Sequence, residues 1–508
     1  MINMKEYMLS SHEAIIELIN GRFVDVLNEC FFEKEVSVLI KDGSIISMSG
    51  SNGSNARIKP DISIDLKGRT VLPGLFNTHC HIQMINPTFL VNCKTQKARK
   101  QYHSMQVDNN MEECVARGIT NIRDAYSPDL RPNRQLAQRI NSGKLSGPRI
   151  QQAVVVVALG GYLSPDLKGL NKKVVGLLGQ GNIDFEDKNS GVVAFPANAK
   201  EQEIRRTVDR AIDERGADLI KVGESLEKSM INSDPTIMDL EQLSTITDQS
   251  RKRGLQATIH SVSVDTFRRA VSAGFSSLAH VPRNGKLSQK DIKECLEAGC
   301  IIDPTLSVAY DMSWRIKGDP FYNNPVTAKL TRYRNEVYAG LADEFWIPEL
   351  RDYVKAGFEK ANDSRYNMFG IVDLSKLFAH FSALPAYGFE NTKILFESGV
   401  SLSCCNDGGI QSCTPAMIGH ELALMALAIN QEDSEKKLDS AATIKAATIS
   451  SARSMGIEDK FGSIEVGKIA DLTIIDGDPF EDISLVGKPV DALFMDGKLI
   501  IDKIGLVG

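Results

Sequence analysis

The sequence predicts an α/β protein: a closed (β/α)8 TIM barrel carrying a small β-sandwich domain built from the N- and C-terminal segments. Three observations lead there. Eight strand-like apolar segments alternate with helical stretches through the middle of the chain, and both ends are rich in short β segments with turn signals. No dinucleotide or phosphate-loop glycine pattern argues for an open doubly wound sheet.

In chain order, residues 20–72 carry Phe23-Val-Asp-Val26, Val36-Ser-Val-Leu-Ile40 and Ile45-Ile-Ser-Met48, separated by turn formers such as Asp42-Gly43. The far end repeats this character in Asp471-Leu-Thr-Ile-Ile-Asp476 and Asp491-Ala-Leu-Phe-Met495, followed by the turn signal Asp496-Gly497. The two ends are expected to pair in one domain, residues 1–72 with 460–508. Over 73–459 the barrel is expected, its strands read from Thr70-Val-Leu-Pro-Gly74, Thr120 to Asp124, Ala153 to Leu159, Leu219 to Val222, Ala257 to His260, Ser277 to His280, Ile301 to Asp303 and Ser401 to Asp407. The stretch 307–390 holds both tryptophans and nearly half of all aromatic residues, so it is an elaborated connection. Such an excursion at a strand end either handles substrate or forms an oligomer contact or satellite core.

Composition bounds the function. The chain has 508 residues, 42% hydrophobic and 24% charged, which suits a soluble globular protein with large cores. With a net charge of −6, the basic surface that nucleic acid requires is not expected. The longest apolar run, Ala153 to Leu159, is far too short for a bilayer, where about 20 residues are needed. The N-terminus offers neither the basic start nor the apolar stretch of a secretory signal, so a cytoplasmic location is expected. Nine scattered cysteines without a CxxC pair fit reduced thiols.

The strongest chemical signal is Leu72-Pro-Gly-Leu-Phe-Asn-Thr-His79-Cys80-His81 at the end of the first barrel strand. Positions i and i+2 of a strand face the same way, so His79 and His81 share one space while Cys80 points elsewhere. His260 and His280 close successive strand segments, and Asp407 closes the last one. A core histidine or a turn-forming Asn-Asp-Gly explains each of these singly; together, at strand ends that converge on one mouth, they read as ligands for a borderline-soft divalent metal. Lys221, in Ala217-Asp-Leu-Ile-Lys221-Val, is flanked by apolar residues. An ammonium beside divalent cations is repelled, so this lysine makes sense there only as a salt-bridge partner or as an anionic, CO2-carboxylated group.

With these residues in view, the sequence resembles the amidohydrolase superfamily, in the binuclear group related to imidazolonepropionase and the prolidase-like hydrolases. The likeness rests on Pro73-Gly74 through His81, on Ala217 through Lys221, on His260, His280 and Asp407, and on Ala447-Thr-Ile-Ser-Ser-Ala452 with Gly462-Ser-Ile-Glu-Val-Gly-Lys-Ile-Ala-Asp-Leu472. It implies two divalent metal ions, Zn first with Mn or Co as alternatives, His79 and His81 on one, His260 and His280 on the second, and carboxylated Lys221 bridging both. Asp407 would join the first ion and act as the catalytic proton carrier. The implied reaction is hydrolysis of an amide C–N bond of a small molecule, such as a dipeptide-like, N-acyl amino acid, cyclic or aryl amide, by a metal-bridging hydroxide. A urea, carbamate or ester substrate is the alternative. A homo-oligomer is also implied.

Two departures from the family pattern bear on substrate, one at the third strand and one in the aromatic-rich stretch after Leu306, which is longer than in compact members and would suit a bulky or aromatic substrate. Where many prolidase-like members carry Gly-Gly-His-Gly, this chain has Gly160-Gly-Tyr162-Leu, which makes Tyr162 a substrate-contact candidate. Arg283, three residues past His280, is a further substrate-contact candidate, able to grip a carboxylate with two parallel hydrogen bonds, the alternative being an exposed structural arginine. The mononuclear deaminases of the superfamily place a catalytic glutamate three residues after the third histidine; here Ser263 stands at that position. Arg123-Asp124 reads as an internal ion pair, and His103 and His380 as structural or pocket-lining.

Overall fold

The computed structural model describes residues 14–32, 36–49, 58–85, 95–164, 166, 186–224, 235–312, 337–361, 384–410, 412–430 and 440–507. Seven parallel strands form the barrel wall in chain order: β1 (Leu75–Cys80), β2 (Ile119–Asp124), β3 (Arg149–Ala158), β4 (Leu219–Val222), β5 (Ala257–His260), β6 (Ser277–Ala279) and β7 (Ile301–Asp303). Segment 401–408 closes the ring. Leu402 bridges Ile302 of β7 and Gly408 bridges Cys80 of β1, and Thr78 N donates to Cys404 O at 3.0 Å. Closure removes the open sheet edge and forces all strand C-termini onto one rim.

The strands are apolar because both faces are covered. Val154, Val156, Ile220, Ile259, Leu278 and Ile302 pack into one continuous core with the surrounding helices. Those helices follow the strands, among them Gln96–Ala116, Arg131–Asn141, Glu201–Asp213, Leu240–Lys252, Val264–Ser272 and Gln289–Ala298. Asp239 and Ser288 start two of them with capping boxes, each satisfying backbone donors that a helix start leaves unpaired.

The structure moves two expected strand starts. Thr70–Pro73 is no barrel strand: it pairs antiparallel with Leu472–Ile475 in the small sheet, and the barrel begins at Leu75. The hydrogen bond from Gly74 N to Asp471 O marks the crossing, and a Cβ at Gly74 would fall 2.3 Å from the Thr120 hydroxyl, which is why the chain changes sheets at a glycine. The third strand starts at Arg149, four residues before the apolar burst, because its polar first half pairs with β2 and only its second half meets β4.

Both chain ends do pair. One sheet contains Ile16–Ile19, Val38–Lys41, Ser44–Met48 and Ile62–Asp65, the other Arg22–Asp25, Thr70–Pro73, Leu472–Ile475, Ala492–Met495 and Lys498–Asp502, and Leu18, Val38, Ile64, Leu472 and Phe494 fill one core between them. Asp42-Gly43 and Asp496-Gly497 take positive φ at both residues, as two-residue hairpin turns require. Within 307–390, helices Leu306–Met312, Pro348–Ala361 and Leu384–Glu397 are described, while 313–336 and 362–383, His380 included, lie outside the described residues. Among the described residues no helix is long and apolar enough to cross a membrane.

Candidate metal centre

Strand β1 is buried along its whole length, and its alternation places the imidazoles of His79 and His81 together while the Cys80 thiol lies against Arg123 O at 3.4 Å. His79 Nε2 and His81 Nε2 stand 3.2 and 2.9 Å from Asp407 Oδ1. Among the described residues these three are the one group of His, Cys, Asp or Glu whose ligand atoms lie within 4.8 Å of one another, and all three are buried. The backbone fixes them: Asp407 N donates to His79 O at 2.9 Å and His81 N to Gly408 O at 2.6 Å.

The remaining histidines adjoin this group. The His280 ring lies 4.9 Å from that of His79 and 4.6 Å from that of His260. His81 Nδ1 meets Tyr126 O at 3.2 Å and His280 Nδ1 meets the Thr305 hydroxyl at 2.7 Å, which leaves Nε2 of each ring toward its partners. Lys221, on β4, is buried, and its Nζ has no hydrogen-bond partner among the described residues.

Electrostatics keep three of the four histidines, His79, His260 and His280, as neutral donors. Burial, then the Lys221 charge, lowers His79 to about 3. His260 and His280 also lie well below 6.5, first through burial, then through the charges of Lys221 and His260 respectively. His81 goes the other way: burial would lower it, but the hydrogen bond and charge of Asp407 raise it above 6.5. Burial pushes the Asp407 carboxyl up, yet His79 and His81 overcome this and hold it well below 3.8, hence ionised. Burial and then Arg123 bring Lys221 down to about 7. A buried amine without a hydrogen-bond partner among the described residues, beside imidazoles and one carboxylate, is a donor set whose own members do not satisfy it, and nitrogen plus oxygen donors suit Zn, Mn or Co.

Backbone strain gathers at the same place. His280, Thr305 and Asp407 adopt left-handed φ of 75°, 51° and 53°. Gly409, with φ of 109°, runs so close to β1 that a Cβ would sit 2.1 Å from His81 O.

Tyr162 lies over the centre, its ring 4.6 Å from that of His260 with planes 31° apart. Arg283 is buried, with Nη2 donating to Thr305 O at 2.9 Å and Thr305 Oγ1 at 2.7 Å. Arg123 does form an internal ion pair, but with Asp303 of β7 at 2.5 Å rather than with its neighbour Asp124. His103 Nε2 meets Gln83 O at 2.8 Å, away from the centre.

Three supporting groups escape a reading of the sequence. Asn77 accepts from His79 N at 3.2 Å and donates to Asn406 Oδ1 and Pro415 O, each at 2.8 Å, stitching β1 to the Asp407 turn. Asp303 gathers Thr78, Arg123, Ser403 and Ser454 inside the barrel. Thr305 orients His280. Asn77 sits two residues before His79 and Asp303 ends a strand, which is the only local hint either gives.

Known proteins match on both sequence and fold. A stretch of 131 residues is 31% identical to 5-methylthioadenosine/S-adenosylhomocysteine deaminase of Caldanaerobacter subterraneus, covering 23% of this chain and 30% of that protein. Another 66 residues are 42% identical to imidazolonepropionase of Picrophilus torridus, 13% of this chain and 17% of that one. Both matches span less than a third of those relatives. A Xaa-Pro dipeptidase crystallised with methionine in its active site superposes over 96% of this chain and 99% of its own, with a TM-score of 0.64 at 22% identity, a likeness of fold. The pattern of the amidohydrolase family matches residues 70–500, which cover the barrel and the C-terminal sheet strands. The chain therefore belongs to the amidohydrolase family.

Proposed function

We propose that this enzyme cleaves the amide bond of a small molecule, dipeptide-like, N-acyl amino acid, cyclic or aryl amide, at a centre of two divalent metal ions. His79, His81 and Asp407 would hold one ion, His260 and His280 the other, with Lys221 reaching both as a carbamate. The observation that supports this best is the buried Lys221 amine, without a hydrogen-bond partner among the described residues and brought to about 7 by its surroundings. An amine brought to about 7 has a substantial neutral fraction near neutral pH, and that form can add CO2, forming an N–C bond and releasing one proton to leave an anion.

Bound ions supply a Lewis acid for the substrate carbonyl and bring the pKa of water toward 7. The chain does the rest. Asp407, ionised and held by both histidines of β1, takes the proton of the attacking water and returns it to the leaving nitrogen. The strained Asp407 turn, tied down by Asn77 and Asn406, keeps that carboxylate in reach of both positions. Tyr162 and Arg283 are proposed to meet the substrate, Tyr162 as an apolar and hydroxyl wall and Arg283 toward a carboxylate. The test is a screen of N-acyl amino acids, dipeptides, cyclic amides and aryl ureas against Zn-, Mn- and Co-loaded protein. Turnover of an amide in at least one metal form supports the reading; turnover of a urea, carbamate or ester alone moves the substrate class.

The partial match to a deaminase raises deamination as the second reading. Ser263 speaks against it: its side chain accepts from Thr266 N at 3.2 Å as a helix cap, so it offers no carboxyl. Release of ammonia from a nucleoside, with no amide turnover, would favour the deaminase. A cytoplasmic homo-oligomer remains part of the proposal, with size-exclusion chromatography and light scattering as its check.

A further inference from the structure

The His280 ring is supported from outside its own strand. Its Nδ1 lies 2.7 Å from Thr305 Oγ1. That hydroxyl has one hydrogen and two lone pairs. Pro304 O, which only accepts, stands 2.8 Å away, and Arg283 Nη2, which only donates, stands 2.7 Å away. With the hydroxyl hydrogen on Pro304 O and one lone pair taken by Arg283, the remaining lone pair accepts from Nδ1. Turning the hydrogen toward Nδ1 instead would set two oxygen lone pairs against each other at 2.8 Å. Nδ1 therefore carries the proton, and Nε2 carries the lone pair.

We propose that Arg283 and Thr305 are positioning residues that lock His280 as its Nδ1–H tautomer, so that Nε2 is the nitrogen presented for ligation. The second Nη2 hydrogen binds Thr305 O at 2.9 Å, gripping the residue through backbone and side chain and holding it in its left-handed conformation, φ 51°. His280 itself is left-handed at φ 75° and donates its own N–H to Asp303 O at 2.8 Å, so ring and backbone are both pinned. Arg283 has this part whether or not it also meets substrate. The inference rests on the metal-centre reading only for its purpose.

The test begins with metal-free wild-type protein and long-range 1H–15N NMR of 15N-histidine-labelled chain, His280 assigned by His280→Gln. The expected His280 signal is that of the Nδ1–H tautomer; a dominant Nε2–H signal overturns the proposal without involving any metal. The second measurement is chelator competition on Zn-loaded protein. Thr305→Val, which keeps the β-branched shape, is expected to lose one ion's affinity by about 10–100-fold, with Thr305→Ser restoring it. Equal affinity in Thr305→Val and wild type overturns the proposal. Wild type that holds no divalent ion would sink the metal-centre reading, while the tautomer spectrum still decides the clamp.

Discussion

At the residue scale, the charge states of the centre are set by burial weighed against the groups that face each side chain. Asp407 stays ionised in a buried site because two imidazoles face it, and Lys221 loses its grip on its proton because burial and the Arg123 charge outweigh the carboxylates of Asp303 and Asp407. Asp407→Asn is expected to lower turnover by several orders of magnitude while metal content is largely kept, read by steady-state rates beside elemental analysis. Lys221→Ala is expected to bring bound metal from about two ions per chain to about one; an unchanged count would remove the lysine from the centre. In the metal-free protein His81 is expected to titrate highest of the four clustered histidines, since Asp407 raises it and burial lowers the rest. Its pairing stabilises the metal-free fold below pH 6.5, the unfolded value, and that contribution is lost as pH rises through the raised folded value. Imidazole NMR titration checks this, and in Asp407→Asn the His81 pKa should drop.

At the element scale, the site depends on how closely the turn after segment 401–408 approaches β1. Gly409 supplies that approach, and no side chain fits between its backbone and His81 O. Gly409→Ala is expected to cost about 1–2 kcal/mol in backbone strain alone. A larger loss is expected in the centre, because the turn must withdraw and carry Asp407 away from His79 and His81. Far-ultraviolet circular dichroism should remain that of the native barrel while metal retention falls steeply. Full retention would mean that the turn can relax without moving Asp407.

At the scale of the whole molecule, the barrel is closed by contacts that run through its interior as well as around its wall. Asp303 of β7 binds Arg123 of β2, Thr78 of β1, Ser403 of the closing segment and Ser454 of the helix Ser451–Met455, with no solvent exposure at either charge. Removing one partner of a buried pair leaves the other charge uncompensated, so Asp303→Ala is expected to destabilise the fold by about 3–5 kcal/mol. Urea unfolding measures it. A loss below about 1 kcal/mol would mean that water or another side chain takes over the Arg123 charge. The small sandwich joins the barrel at Gly74 and through Arg149, which pairs with Asp471 at 2.6 Å, so unfolding of the two parts is expected to be coupled.

The sequence by itself determined the alternation of strand and helix and the pairing of the two chain ends, and it supplied the proposal that His79, His81, Lys221, His260, His280 and Asp407 act as one set. Local rules suffice for the strands, the turns at Asp42-Gly43 and Asp496-Gly497, and the His79–His81 pair, whereas the wider set rests on the family resemblance. Only the tertiary structure decided that Thr70–Pro73 belongs to the small sheet, that Arg123 answers Asp303, and that Asn77, Thr305 and Arg283 hold the histidines and the Asp407 turn in place. Those partners lie on different strands and turns, and their meeting is set by barrel closure and strand register, which no local pattern of residues encodes.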